Sequence, residues 1–285
     1  MVTGRLSRAR SRWTAAAHRP RLHATCAPER VEEKCEAVFR PQPALTSGID
    51  HVFDLGLVQS KINVIQPREM AVDATHLIYF ADPMCSWCWG FAPTIAAVRE
   101  RYDGLLPIRL IMGGLRPGTD TPMTEAAKQA VRPHWGHVAE ASGQPFDYGF
   151  FDRDGFVYDT DPAARAVVIV RSLRPALALD FLERVQRAFY AENQDVTDPQ
   201  VLAELAAGFG LDRADFLSLH AGPVAKEEAW RDYAISQRAG VTGFPTLIGG
   251  PDETGVFGVV TRGFQPTEVV VGVIDQWLAR AAAPN

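Results

Sequence analysis

The run Leu77-Ile78-Tyr79-Phe80-Ala81-Asp82-Pro83-Met84-Cys85-Ser86-Trp87-Cys88-Trp89-Gly90 reads as an apolar strand that ends in a turn and opens a helix with two cysteines on its first turn. His76 to Ala81 is short and apolar, as suits a strand buried on both faces. Beyond the cysteines, Ile95, Val98 and Tyr102 recur at helical spacing, and Gly104 is placed to end that helix. Ile108 to Met112 is a second apolar strand and runs into Gly113-Gly114. Strand, helix and strand in this order predict a βαβ unit, with parallel strands and a right-handed crossover.

From Arg116 to Ala221 the pattern turns helical. Asp161-Pro162 and Asp198-Pro199 each read as an N-cap acid followed by Pro at the first helical position. Leu177, Phe181, Val185 and Phe189 form one apolar stripe, and Val201, Leu202, Leu205 and Ala206 form another. A helix expected from about Val224 to Ala239 leads through Val241-Thr242-Gly243-Phe244-Pro245 into a strand at Thr246-Leu247-Ile248. The turn-rich Gly249 to Gly255 then joins it to a strand at Val256 to Val260, giving an antiparallel hairpin. Val270, Val273, Ile274, Trp277 and Leu278 mark a final helix. The expected organisation is an irregular extension over 1–70, a first α/β part over 71–115, a helical insertion over 116–221, and an αββα part over 222–285.

Composition restricts the function classes. The chain has 285 residues, 47% hydrophobic and 22% charged, enough apolar material for a core without disulfide staples. Its net charge of -5 is uneven: residues 1–24 hold six Arg and no acid, whereas residues 71–285 carry a net charge of -9. A nucleic-acid surface is therefore not expected on the folded part. No stretch reaches the roughly 18 consecutive apolar residues of a membrane span, and the N-terminal region lacks the apolar core of a secretory signal. The cytoplasm is accordingly the expected location. Cys26 and Cys35 lack the spacing to complete a zinc site with Cys85 and Cys88, so no metal is expected.

Two cysteines three apart at a helix start place the first sulfur at the helix end and the second one turn inward. Unpaired amides at a helix N-terminus favour thiolate over thiol. Cys85 is then the nucleophile and Cys88 the resolving thiol, working through a mixed disulfide. Trp87 and Trp89, with Phe91, are candidates for an apolar rim that meets unfolded substrates. His134 and His137 read as a solvated helix face, and the acidic run from Asp147 to Asp161 as a surface loop.

The Cys85-Ser86-Trp87-Cys88 motif between strand and helix, the helical insertion and the Gly243-Phe244-Pro245-Thr246 loop together resemble the DsbA family of thioredoxin-fold thiol–disulfide oxidoreductases. The Asp82-Pro83-Met84-Cys85-Ser86-Trp87-Cys88-Trp89-Gly90 wording is similar to its FrnE-like cytoplasmic branch, which has disulfide oxidoreductase and isomerase activity. The resemblance spans about residues 74–282. It implies a thioredoxin-like fold with an inserted helical subdomain and a cis Pro245 beside the sulfurs. It also implies that Gly243 and Phe244 offer backbone to an extended substrate. In the family an acid sits six residues before the first cysteine; here that position is Tyr79, which leaves Asp82 as the candidate proton acceptor. Trp87 stands where DsbA has His, so the pair is expected to be less oxidising than DsbA.

The resemblance implies protein or peptide thiols and disulfides as partners. No bound cofactor is expected, and redox exchange with cellular thiols such as glutathione or thioredoxin is. The oligomeric state is not readable from the sequence. The alternative is a glutathione-dependent isomerase or transferase resembling 2-hydroxychromene-2-carboxylate isomerase and kappa glutathione transferase. That branch usually has Ser at the position of Cys85.

Overall fold

The structure, a computed structural model, describes residues 75–252 and 255–281. The expectations for residues 1–70, including Cys26 and Cys35, lie outside the described residues. The elements are β1 (His76–Ala81), α1 (Ser86–Arg101), β2 (Ile108–Met112), α2 (Glu125–Ser142), α3 (Asp161–Leu173), α4 (Ala178–Tyr190), α5 (Pro199–Ala207), α6 (Arg213–Ala221), α7 (Pro223–Arg238), β3 (Thr246–Gly250), β4 (Gly258–Arg262) and α8 (Thr267–Ala281). A short 3-10 helix covers Tyr148–Asp152.

The strands form one sheet in the order β2-β1-β3-β4. β1 pairs parallel with β2 and antiparallel with β3. In the β1–β3 register Leu77 lies opposite Gly249 and Tyr79 opposite Leu247, so these side chains share a face. Helices α1 and α8 cover that face: Tyr79 meets Phe91 with ring centroids 5.9 Å apart, and the Trp277 ring fills the space beside Gly249. A Cβ on Gly249 would come within 2.7 Å of that ring.

The outer edge of β2 is sealed by α3 and α7. Asp232 accepts from the Met112 amide at 2.9 Å, and Arg171 donates both to the Leu110 carbonyl at 2.7 Å and to Asp232. A partly buried ion pair thus satisfies backbone groups that an edge strand leaves open.

Helices α2 to α6 follow β2 and precede α7 along the chain. Their core is aromatic. Trp135 stacks on Phe150 at 5.0 Å and meets Phe151, Phe146 and Tyr190 at 4.8 to 5.2 Å. Such pairs contribute about 0.5–1.5 kcal/mol each beyond area burial. The acidic run between α2 and α3 is therefore more than a surface loop: Asp147 caps the 3-10 turn by accepting from the Gly149 amide at 2.8 Å, which drives Phe150 and Phe151 inward.

Two local expectations are corrected. β4 begins at Gly258, not Val256, because Val256 closes a turn with Asp252 through N–H···O contacts of 2.9 Å in each direction. The N-cap of α3 is Thr160, and Asp161 is the first helical residue. The Thr160 hydroxyl accepts from the Arg116 amide at 3.1 Å, while the Asp161 carboxylate pairs with Arg165 at 2.6 Å. Among the described residues no helix is long and apolar enough to cross a membrane.

Candidate active site

The turn after β1 is built by Asp82. Its Oδ1 accepts from the Met84 amide at 2.9 Å, and its carbonyl accepts from the Cys85 amide at 3.1 Å. This local bonding ends the strand and fixes the approach to α1. Cys85 becomes the N-cap, in extended conformation, and its carbonyl accepts from the Trp89 amide at 3.0 Å. Its sulfur makes no capping bond; Cys85 as a residue keeps 7% exposure, whereas Cys88, one turn in, has none. Both are free thiols.

From the far end of the chain the loop before β3 closes on this turn. The Phe244–Pro245 peptide is cis, and the Cys85 thiol donates to the Phe244 carbonyl at 3.5 Å. Thr246 Oγ1 donates to the Gly243 carbonyl at 2.8 Å, and the Gly263 amide to the Pro245 carbonyl at 2.7 Å, so the loop is held at both ends. The Phe244 ring lies on Gly113, where a Cβ would stand 2.3 Å from ring atoms. Gly113 is thus required by close approach rather than by backbone conformation.

A family profile, the DSBA-like thioredoxin domain, matches residues 76–262. The chain belongs to this family. A crystal structure from Nitrosomonas europaea, provisionally named a protein disulfide isomerase, is 34% identical, with a TM-score of 0.68 over 73% of this chain and 99% of that one. The cytosolic disulfide reductase DsbM from Pseudomonas aeruginosa is 30% identical, with a TM-score of 0.60 over 72% of this chain and 99% of that one; it has also been solved with GSH. A relative from Shouchella clausii named ClpXP adapter protein SpxH is 22% identical over 234 residues, covering 82% of this chain and 76% of the relative.

Within this DsbA-like domain the electrostatics around the sulfurs are set by burial. Burial, then the hydrogen bond and charge shared with Cys85, push the Cys88 thiol up, and the Asp82 charge adds to this. Asp82 is fully buried, and its carboxyl is pushed from the ordinary 3.8 up to about 6; N–H donors from Leu115 and Met84 and the Thr160 side chain oppose the shift. Tyr79 is wholly buried with its phenol against Cys88. Burial first, and the two cysteines second, hold it protonated well above the ordinary range for a phenol.

The candidate substrate contacts divide. Trp87 is half-buried between His134 of α2, at 5.7 Å edge to face, and Phe264, at 5.4 Å. His134 is therefore not part of a solvated face; burial, then His137, lowers its pKa. Gly243 is half-buried, and Phe244 and Pro245 are buried against the turn. Trp89 does not belong to a surface rim. Its side chain has no exposure, its Nε1 donates to the Pro145 carbonyl at 3.0 Å, and the Arg187 guanidinium lies 5.4 Å from its ring centroid.

The structure adds residues that sequence reading missed. Tyr158 donates to the Met84 carbonyl at 2.7 Å and lies 3.3 Å from the Tyr190 hydroxyl. The Leu115 amide donates to Asp82 Oδ2 at 2.8 Å. Tyr158 and Tyr190 read in sequence as aromatic core, and no spacing ties them to residues seventy or more positions earlier.

Proposed function

We propose that this chain is a protein thiol–disulfide oxidoreductase and isomerase that works through Cys85 and Cys88. The observation that carries the reading is the Cys85 sulfur at the N-terminus of α1, 3.5 Å from the Phe244 carbonyl, with Cys88 enclosed behind it. The Cys85 thiolate attacks one sulfur of a substrate disulfide, forming a mixed disulfide and expelling the other sulfur as thiolate. Cys88 loses its proton and attacks Cys85, forming the Cys85–Cys88 bond and releasing the second substrate thiolate. The substrate disulfide is reduced to two thiols as the enzyme dithiol is oxidised. Phe244, next to the cis Pro245, presents backbone for an extended peptide to pair with.

A reductase or isomerase role in the cytoplasm, with glutathione as exchange partner, is supported by likeness to a protein named a cytosolic disulfide reductase and solved with GSH. Trp87 between the sulfurs supplies no positive charge to favour the thiolate, which supports the same direction. The wording of Asp82 to Gly90 supports placement in a FrnE-like branch.

The test is insulin reduction and refolding of scrambled ribonuclease by the wild type and by Cys85→Ser and Cys88→Ser variants. Loss of turnover in both variants is the expected result. Full retention by both, with turnover of a small glutathione-dependent substrate, would move the chain to the isomerase or transferase class.

A further inference from the structure

Resolution of the mixed disulfide requires Cys88 to lose a proton from a position with no solvent exposure. The titratable groups facing it are Cys85 on its own helix, Asp82 in the preceding turn and Tyr79 on β1. Asp82 is itself fully buried, and each of its oxygens already accepts a backbone amide, so a proton that reaches it has no solvent beside it. Tyr79 leads elsewhere. It lines a narrow cleft between α1 and α4, walled by Ile95, Leu182 and Gln186, whose volume of 10 Å³ is about that needed for one water.

Gln186 marks the inside of this cleft. Its side chain is 1% exposed, and among the described residues its Nε2 has no hydrogen-bond partner. A buried amide donor in this position is satisfied by an ordered water when the space is polar and large enough. At the outer rim, Arg99 of α1 and Asp180 of α4 form an ion pair of 2.7 Å, both about 40% exposed, with Glu183 beside them. The cleft therefore runs from Tyr79, whose phenol meets Cys88, to a charged, partly exposed rim.

We propose that the cleft holds one ordered water on the Gln186 amide, and that Tyr79, this water and the Arg99–Asp180 mouth form the route by which the Cys88 proton reaches solvent. The inference rests on the assignment of Cys85 as attacking and Cys88 as resolving thiol. The Tyr79 hydroxyl accepts the thiol proton as it passes its own proton to the water, so no charged phenolate forms. The thiolate left on Cys88 attacks the Cys85 sulfur; the Cys85–Cys88 bond forms, the Cys85–substrate bond breaks, and the departing thiolate takes up a proton at the open side of the site. Gln186 is a positioning residue, since it acts through the water.

Cys26→Ser/Cys35→Ser protein, which keeps only the Cys85–Cys88 pair and serves as the background for every variant, releases on mixing with DTNB one coloured thiolate when Cys85 is captured and a second when Cys88 resolves the adduct, so rapid mixing reads the two steps separately. Gln186→Leu, the nearly isosteric Gln186→Met and Tyr79→Phe are expected to leave the first release unchanged. They should slow the second about a hundredfold near neutral pH, the lower end of proton-transfer contributions, with the deficit closing as pH rises and hydroxide replaces the relay. Wild-type second-step rates in both Gln186 variants across the pH range would overturn the proposal. So would equal slowing of both steps, which marks a general structural loss. A first release that survives Cys85→Ser, or a second that survives Cys88→Ser, would overturn the underlying assignment of the sulfurs, and the route with it.

Discussion

The Cys85–Cys88 turn is held from two sides by contacts of different kinds. On the sheet side, β1, β2 and the loop before β3 bring together a strand end, the paired glycines Gly113-Gly114 and the Phe244 carbonyl, with tolerances set by van der Waals contact. On the insert side, Tyr158, Tyr190 and Thr160 act through buried polar groups on Met84, on each other and on the backbone beside Asp82. The sheet side places the sulfurs; the insert side ties down the turn that carries them through hydrogen bonds to Met84 and to the backbone beside Asp82. Substitutions on the two sides should differ in kind as well as in size.

The severest effect is expected on the sheet side at Gly113. A Cβ there would stand 2.3 Å from the Phe244 ring, so Gly113→Val forces the ring and its carbonyl away from Cys85. Overpacking of this degree costs roughly 3 kcal/mol or more, and insulin reduction should fall steeply even where urea titration shows a folded protein. Unchanged activity would mean that the distance between Phe244 and Cys85 is not critical.

Asp82 lies between the two sides. Because its carboxyl is raised from 3.8 to about 6 in the folded state, the fold binds this proton more tightly than the unfolded chain does. Its favourable contribution is complete below pH about 4 and is lost as pH rises to about 6, a swing of roughly 3 kcal/mol. Asp82→Asn removes that swing. It also leaves either the Met84 or the Leu115 amide without its acceptor, at about 1–3 kcal/mol. Urea titrations should therefore find the variant clearly weaker than wild type at pH 4 and close to it at pH 7.5. A stability difference that is the same at both pH values would contradict the account.

On the insert side the expected change is smaller. Tyr158→Phe keeps the ring but removes the hydroxyl that meets the Met84 carbonyl and Tyr190, at about 1–3 kcal/mol for a buried acceptor left unpaired. Equilibrium unfolding checks the size. A loss several times larger would show that the insert bears on the turn through packing as well as through this hydroxyl.

The same division explains what was legible in the sequence. His76–Ala81 and Ile108–Met112 are apolar runs bounded by turn residues, and both strands occur where that pattern puts them. The C-x-x-C at a helix start and Phe244-Pro245 before a strand are local signals, and the family resemblance they carry is what implied that the two would meet. The contacts from the insert had no such signal. Tyr158 and Gln186 occupy aromatic and amphipathic helical stretches in which any packed side chain satisfies the pattern, and only the return of the insert onto α1 and Met84 distinguishes them. Trp89 shows the reverse case: adjacency to Cys88 suggested a surface role, but its place on the inner face of α1 buries it. Thr160 rather than Asp161 precedes the first turn of α3, and its hydroxyl makes no capping bond but accepts from the distant Arg116 amide, an interaction the Asp-Pro signature cannot reveal.

The central claim is that Cys85 attacks and Cys88 resolves, and trapping tests it most directly. Cys88→Ser protein, reduced and then exposed to oxidised glutathione, should accumulate a stable adduct that peptide mass spectrometry maps to Cys85. Cys85→Ser protein should accumulate almost none at Cys88, which is enclosed. Adduct formation at Cys88 in the Cys85→Ser variant at the rate seen for Cys85, or no adduct in either variant, would contradict the account.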